Sequence, residues 1–169
     1  MQTRFLIITG MSGAGKTQVV RTLEDLKYFC IDNLPAALIP KFAELCRQTS
    51  ESNVALVVDV RGGQFFDKLV QVLDEIKASG QKYELLFLDA DDATLVRRYK
   101  ETRRRHPLGD SETLLDNLAQ ERELLAPLLE KSTYIINTTD LNSSELKNKV
   151  RELFSTDNER ERMGIAVRS

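Results

Sequence analysis

Five short apolar runs punctuate the chain: "RFLIIT" (4–9), "YFCI" (28–31), "VALVV" (54–58), "ELLFL" (84–88) and "TYIIN" (133–137). Each is nearly continuous in apolar residues and rich in β-branched or aromatic ones, the pattern of strands covered on both faces. Between them the apolar positions recur at helical spacing. Over 16–27, Val19, Val20, Leu23 and Leu26 share a face. Over 65–78, Phe66, Leu69, Val70, Leu73 and Ile76 do the same, and Gly80 stands where a helix would stop. In "DDATLVRRYKETRRR", Asp91 or Asp92 can cap a helix that carries Leu95 and Tyr99 four residues apart. The leucine-rich stretch 111–131 contains Pro127, which should kink or divide it. "NSSE" (142–145) has capping-box spacing ahead of Leu146, Val150 and Leu153.

Strand–helix alternation repeated along the whole chain implies a parallel sheet with helices on both faces. No repeat, low-complexity tract or internal linker interrupts it, so residues 1–155 read as one α/β domain. The last stretch, 156–169, is polar and charged before Met163, Ile165 and Val167 turn it apolar. A frayed tail would look similar; the sharper expectation is a linker toward a C-terminal domain absent from this chain.

Composition narrows the function classes. A chain of 169 residues, 41% hydrophobic and 30% charged, is long enough for a full core and too apolar for disorder. Its formal charge of −2 argues against a surface that is basic overall. Cys30 and Cys46 have neither zinc-site nor Cys-x-x-Cys spacing and read as small buried residues. No run approaches the ~18 apolar residues of a membrane span, and "MQTRFLIITG" is too short for a signal peptide, so a cytoplasmic setting is the default expectation.

"GMSGAGKT" (10–17) falls where the first strand gives way to the first helix. It fits G-x-x-x-x-G-K-[ST], the phosphate-binding P-loop. Gly10, Gly13 and Gly15 open backbone angles that let successive N–H groups converge on phosphate oxygens, and the helix N-terminus adds partial positive charge. Lys16 is placed to reach the β- and γ-phosphates, and the Thr17 hydroxyl to ligate Mg²⁺. A glycine-rich turn with an exposed lysine would satisfy the same letters. The strand–loop–helix context favours the nucleotide. Together these features predict a P-loop NTPase fold, a five-stranded parallel sheet in kinase-like order 2-3-1-4-5.

Such a loop needs an acidic partner for the metal at a neighbouring strand end. Asp59 in "VALVVDVRGG" is the first candidate, Asp89 in "LLFLDAD" its rival and Asp32 in "FCIDNLP" the third. Either strand-end aspartate could instead cap a helix. Arg103, Arg104 and Arg105 in "RRRHPL" form either a solvated surface run or a lid over phosphates, and His106 belongs to that loop. No histidine–cysteine cluster suggests zinc. "NTTD" (137–140) could meet the base, but it lacks the lysine of the guanine signature and cannot choose ATP over GTP.

Taken in order, "ITGMSGAGKTQVVRTLEDLKYFCIDNLP", "VVDVRGG", "LFLDAD", "LVRRYKETRRRHPL" and "ERERMGIAVRS" resemble the RapZ/YvcJ family of P-loop nucleotide-binding proteins over nearly the whole chain. Members are about twice as long, so the chain resembles an isolated N-terminal domain. The resemblance implies binding and slow hydrolysis of ATP or GTP with Mg²⁺ and a regulatory role. In some members an RNA-adaptor function goes with the missing domain; no membrane partner is implied. By motif, Gly10, Met11, Ser12, Gly13, Ala14, Gly15, Lys16 and Thr17 would hold the triphosphate. Asp59, Val60, Arg61 and Gly62 would form a second nucleotide-contacting segment. Thr17 and Asp59 would serve the metal; Lys16, Asp59, Arg104 and Arg105 would serve catalysis. Lys27 stands where the family often has glycine, a departure expected to be harmless, and Asn137 replaces a common aspartate before "TT", which weakens a base-recognition role there. Two other readings stay open: a small-molecule or nucleotide kinase, whose acceptor "DNLP" could help to hold, and a binding module that senses nucleotide without useful turnover.

Overall fold

The apolar runs form a single parallel sheet whose middle is inaccessible and whose edges are not. The structure is a computed structural model that describes residues 4–32, 34–49, 53–58, 63–102 and 111–155. The strands are β1 (Phe5–Gly10), β2 (Phe29–Asp32), β3 (Val54–Val57), β4 (Glu84–Asp89) and β5 (Tyr134–Asn137). The helices are α1 (Lys16–Asp25), α2 (Ile39–Thr49), α3 (Gly63–Ala78), α4 (Asp92–Thr102), α5 (Ser111–Lys131) and α6 (Ser143–Phe154). A single 3₁₀ turn, Ala36–Leu38, leads into α2. The strand order is β2-β3-β1-β4-β5, all parallel, as the sequence predicts.

Right-handed crossovers explain the layering. The chain steps leftward from β1 to β2 through α1, then only rightward, so α1 covers one face and α2 to α5 the other. α1 packs against α6; α3 packs against α2 and α5, and α5 also against α4. Every residue of β1 and β3 is buried, consistent with strands covered twice. The edge strands differ from that expectation: Phe29 on β2 and Ile135 on β5 are each 58% exposed, since one face of an edge strand lies beyond the helices.

Local rules account for the ends of helices. Asn142 accepts from the Glu145 N–H while Glu145 accepts from the Asn142 N–H, the anticipated capping box of α6. Asp91, rather than Asp92, caps α4 by accepting from the Thr94 N–H at 2.8 Å, and that bond holds its carboxyl below the usual carboxylate range. Helix α5 is not divided: it runs continuously through Pro127. Proline removes one main-chain donor, but Leu125 and Leu128 beside it are buried in the core and hold the helix through that point. Helix α2 after "DNLP" is not among the elements expected above, although Ile39, Phe42, Ala43 and Cys46 recur at helical spacing on its core face.

The departure at Lys27 has a structural cost. Tyr28 N–H bonds Leu23 O at 2.9 Å and Lys27 N–H bonds Glu24 O at 3.0 Å, the paired bonds of a Schellman C-cap on α1. That cap puts Lys27 at φ 71, the only non-glycine positive φ among the described residues. A left-handed lysine costs about 1 kcal/mol relative to glycine. Lys27→Gly should therefore raise the thermal midpoint by about 2–4 °C, the shift that about 1 kcal/mol gives a chain of this length, measured by calorimetry. An unchanged or lower midpoint would refute the strain.

Candidate functional site

The loop between β1 and α1 is built from its glycines. Gly10, Gly13 and Gly15 have φ of 146, 85 and 114. At Gly10 a Cβ would stand 2.2 Å from Leu88 O, because β1 leaves the sheet flush against β4 and Met11 N–H bonds Leu88 O at 3.0 Å. Gly15 sits left-handed at the N-cap with no side-chain cap, and the first helical bond is Val19 N–H to Gly15 O at 3.1 Å. The N–H groups of the first helical turn therefore have no helical acceptor and lie at the positive end of the helix dipole. Lys16 folds inward: its Nζ donates to Gly10 O at 2.9 Å and to Met11 O at 3.2 Å. This is a built cradle for an anion.

Three elements brace the cradle. From α4, Arg98 donates to Gly13 O at 3.2 Å and to Thr138 Oγ1 and O at 2.9 and 2.6 Å. The Thr138 hydroxyl, after β5, donates to Ala14 O at 2.7 Å. Asn137 Oδ1 accepts from the Thr139 N–H at 3.0 Å, so the 137–140 loop is shaped by its own side chain and serves as a brace under the P-loop. From α5, the Glu121 carboxylate accepts from Ser12 N–H at 2.6 Å and from Ser12 Oγ at 3.0 Å. A carboxylate thus sits at the lip of the anion loop.

Of the acidic candidates for the metal, Asp89 is committed elsewhere. Both its oxygens accept from Arg122, at 2.9 and 3.1 Å, and Oδ1 also accepts from Ala90 N–H. Arg122 further bonds Ala90 O at 2.7 Å and Asp92. Asp32 does reach the site: it borders a cleft of about 620 Å³ together with Ser12, Gly13, Gly15, Lys16 and Thr17. Asp59, Val60, Arg61 and Gly62 lie outside the described residues, as do Asn33 of "DNLP", the arginines 103–105, His106 and the tail 156–169. The cysteines are half-buried rather than fully buried, and Cys30 lines the cleft. Among the described residues no cluster of three or more histidine, cysteine or carboxylate side chains is placed to hold a metal. No helix among the described residues is long and apolar enough to cross a membrane.

Fold and loop define a P-loop protein of the kinase-like order. The same fold is seen in shikimate kinase from Bacteroides thetaiotaomicron, with a TM-score of 0.61, 21% identity and coverage of 98% of this chain and 100% of that one. It is also seen in the tunicamycin resistance protein of Deinococcus radiodurans, at a TM-score of 0.62, 14% identity, and 92% and 98% coverage. Residues 3–158 match the RapZ-like N-terminal domain, and the chain belongs to that family. It is 50% identical over 153 residues to a nucleotide-binding protein of Clostridium botulinum, covering 89% of this chain and 52% of that protein. A nucleotide-binding protein of Desulforamulus reducens is 52% identical over 158 residues, 92% of this chain and 53% of its own length. The chain spans about half the length of these curated relatives.

The geometry at Gly10 gives a direct test of the loop's construction. Gly10→Ala puts a methyl on the Leu88 carbonyl and must pry β1 from β4, a rigid main-chain contact on both sides. The expected loss is about 3 kcal/mol or more of unfolding free energy in a urea titration. Gly80→Ala, with nothing within 4 Å of the new Cβ but φ of 84, should lose only the αL term, about 1 kcal/mol. Equal losses at the two positions would contradict the close passage.

Proposed function

We propose that this domain binds a nucleoside triphosphate, ATP or GTP, as its Mg²⁺ complex in the P-loop and hydrolyses it slowly in the service of a regulatory role. The observation that carries the reading is Lys16 folded over a loop whose glycines take positive φ and which opens the N-terminus of α1. A phosphate chain suits that cation and helix end. The curated relatives' names state nucleotide binding, which agrees. The donor set fits a metal bound jointly with phosphate, because Thr17 borders the same cleft as Lys16. Mg²⁺, when bound, offsets charge on the phosphate oxygens; Thr17 and Asp59 are the residues proposed to hold it.

In this reading Lys16 follows the terminal phosphate, Asp59, Val60, Arg61 and Gly62 form a second contact with the nucleotide, and Arg104 and Arg105 close over the phosphates. Residues 1–155 are the nucleotide domain and 156–169 a linker. The RNA-adaptor function belongs to the other half of the longer family members. A formal charge of −2 supports only weak binding of RNA by this domain, because phosphate contacts dominate such affinity.

Lys16→Ala should weaken triphosphate affinity and lower turnover about 100-fold or more, since it removes the half-buried cation proposed to follow the transferring phosphate. Phosphate release at the wild-type rate by a folded variant would eliminate the site. Asp59→Asn should lower turnover and raise the Mg²⁺ concentration required. Asp89→Asn should instead lower the melting temperature, because it removes one of the two carboxylate charges that pair Arg122. If the magnesium effect follows Asp89, the assignment is reversed.

Glu121→Gln keeps an acceptor for Ser12 but removes a negative charge from the lip of the loop. Two unit charges about 4 Å apart in water interact by about 1 kcal/mol, so triphosphate affinity should rise roughly fivefold in equilibrium dialysis. Unchanged affinity would show that Glu121 leaves the loop when nucleotide enters.

A further inference from the structure

The cleft under the P-loop is longer than the loop. Its near end is the anion cradle already described; its far end lies between α1 and the β2 edge, walled by Val20, Glu24, Cys30, Ile31, Asp32 and Val57. Lys16 and Thr17, proposed above to attend the terminal phosphate and its metal, line the same cleft as these residues, so a ligand there would lie beside that phosphate. The loop that braces the other side of the cradle, around Thr138, lies across β4 toward the β5 edge. The whole cleft, cradle included, has a volume of about 620 Å³, in the range of small-molecule sites.

The chemistry of the far end differs from that of the cradle. Val20, Ile31 and Val57 supply an apolar wall. Burial pushes the Cys30 thiol up to about 11, so it adds no charge at neutral pH. Among the described residues the remaining polar groups there are two carboxylates, Glu24 and Asp32. They repel anions and accept hydrogen bonds from hydroxyl or ammonium groups. Asp32 ends an edge strand and is exposed to the cleft and to water.

We propose that this chamber binds a small neutral or cationic hydroxyl compound, and that Asp32 accepts the hydroxyl proton as that oxygen is phosphorylated by the bound triphosphate. The hydroxyl oxygen forms a bond to the γ-phosphorus, and the bond from that phosphorus to the β–γ bridging oxygen breaks. The nucleoside diphosphate leaves with the electron pair, and the proton passes to the Asp32 carboxylate. The proposal rests on the nucleotide reading above and adds an acceptor to it. Water in the same place would give the slow hydrolysis of that reading.

Titration of the ¹⁵N-labelled full chain with myo-inositol, ethanolamine and glycerol 3-phosphate separates the possibilities without any turnover. The amides of Cys30, Ile31, Asp32 and Val57 should shift with myo-inositol or ethanolamine and not with glycerol 3-phosphate. Val20→Phe, which fills the chamber, should abolish those shifts. Silence of these amides toward both uncharged and cationic probes, or an equal response to the anion, overturns the proposal. ATP added to the same sample tests the underlying reading: no shift at Gly13 to Thr17 defeats nucleotide binding itself, whereas shifts there with a silent chamber defeat only the acceptor site. With ATP and Mg²⁺, ³¹P spectra should then show a phosphomonoester of the bound probe, reduced about 100-fold in Asp32→Asn. Inorganic phosphate alone from a chamber that binds the probe, or ester formation undiminished in Asp32→Asn, overturns the transfer step.

Discussion

Gly10 leaves β1 so close to β4 that the Leu88 carbonyl occupies the place of a Cβ, and the functional half of the domain depends on that passage. The central strand is buried on both faces and bonded on both edges, so its end is the most rigid point of the sheet. A loop that starts there inherits a fixed position and direction. Met11 N–H on Leu88 O carries the register one residue past the strand, and Gly15 then turns the chain into α1, whose first N–H groups have no helical acceptor. An anion site made of main-chain dipoles works only when they are held before the ligand arrives, which is the electrostatic argument for anchoring it at the centre of a parallel sheet.

The bracing contacts have a different character. They come from long side chains reaching across loops: Arg98 to Gly13 and Thr138, Glu121 to Ser12, Arg122 to Asp89 and Asp92. Glu121 and Arg122 are adjacent on α5, so one turn of one helix touches both the P-loop and the start of α4. A shift of α5 therefore changes the charge at the lip of the loop and the pairing of Asp89 together. Thr9, one residue before the loop, is buried with no hydrogen-bond partner for its hydroxyl among the described residues. An unpaired buried hydroxyl beside a functional loop costs stability, and it is tolerated here by a strand the core over-determines.

The strands, the sheet order and the P-loop were legible because each rests on local pattern: apolar runs of strand length, helical spacing between them, and glycines ahead of Lys16 and Thr17. The capping box at Asn142 and the stop at Gly80 were legible for the same reason. The braces were not. Glu121 and Arg122 lie in "QEREL", which in one dimension is a solvated stretch of a leucine-rich helix, and their partners are 109 and 33 residues away. Asp89 and Asp32 have equivalent apolar lead-ins, and only the fold shows that Arg122 takes the first while the cleft takes the second. Lys27 looked harmless because a left-handed C-cap is a property of backbone geometry, which a lysine in a string of letters does not betray.

The cleft would also bring the proposed hydrolysis and the proposed phosphoryl transfer under one physical account. A site that surrounds its terminal phosphate on the cradle side alone leaves the opposite side to whatever fills the chamber. Water fits there, but it is held by few groups and seldom in line, so it reacts rarely despite the cation at Lys16. A hydroxyl compound gripped between the apolar wall and the carboxylates of Glu24 and Asp32 would be oriented by several contacts at once. On the proposed reading the same geometry would serve a poor hydrolase and a competent transferase, the difference lying in the occupant of the chamber.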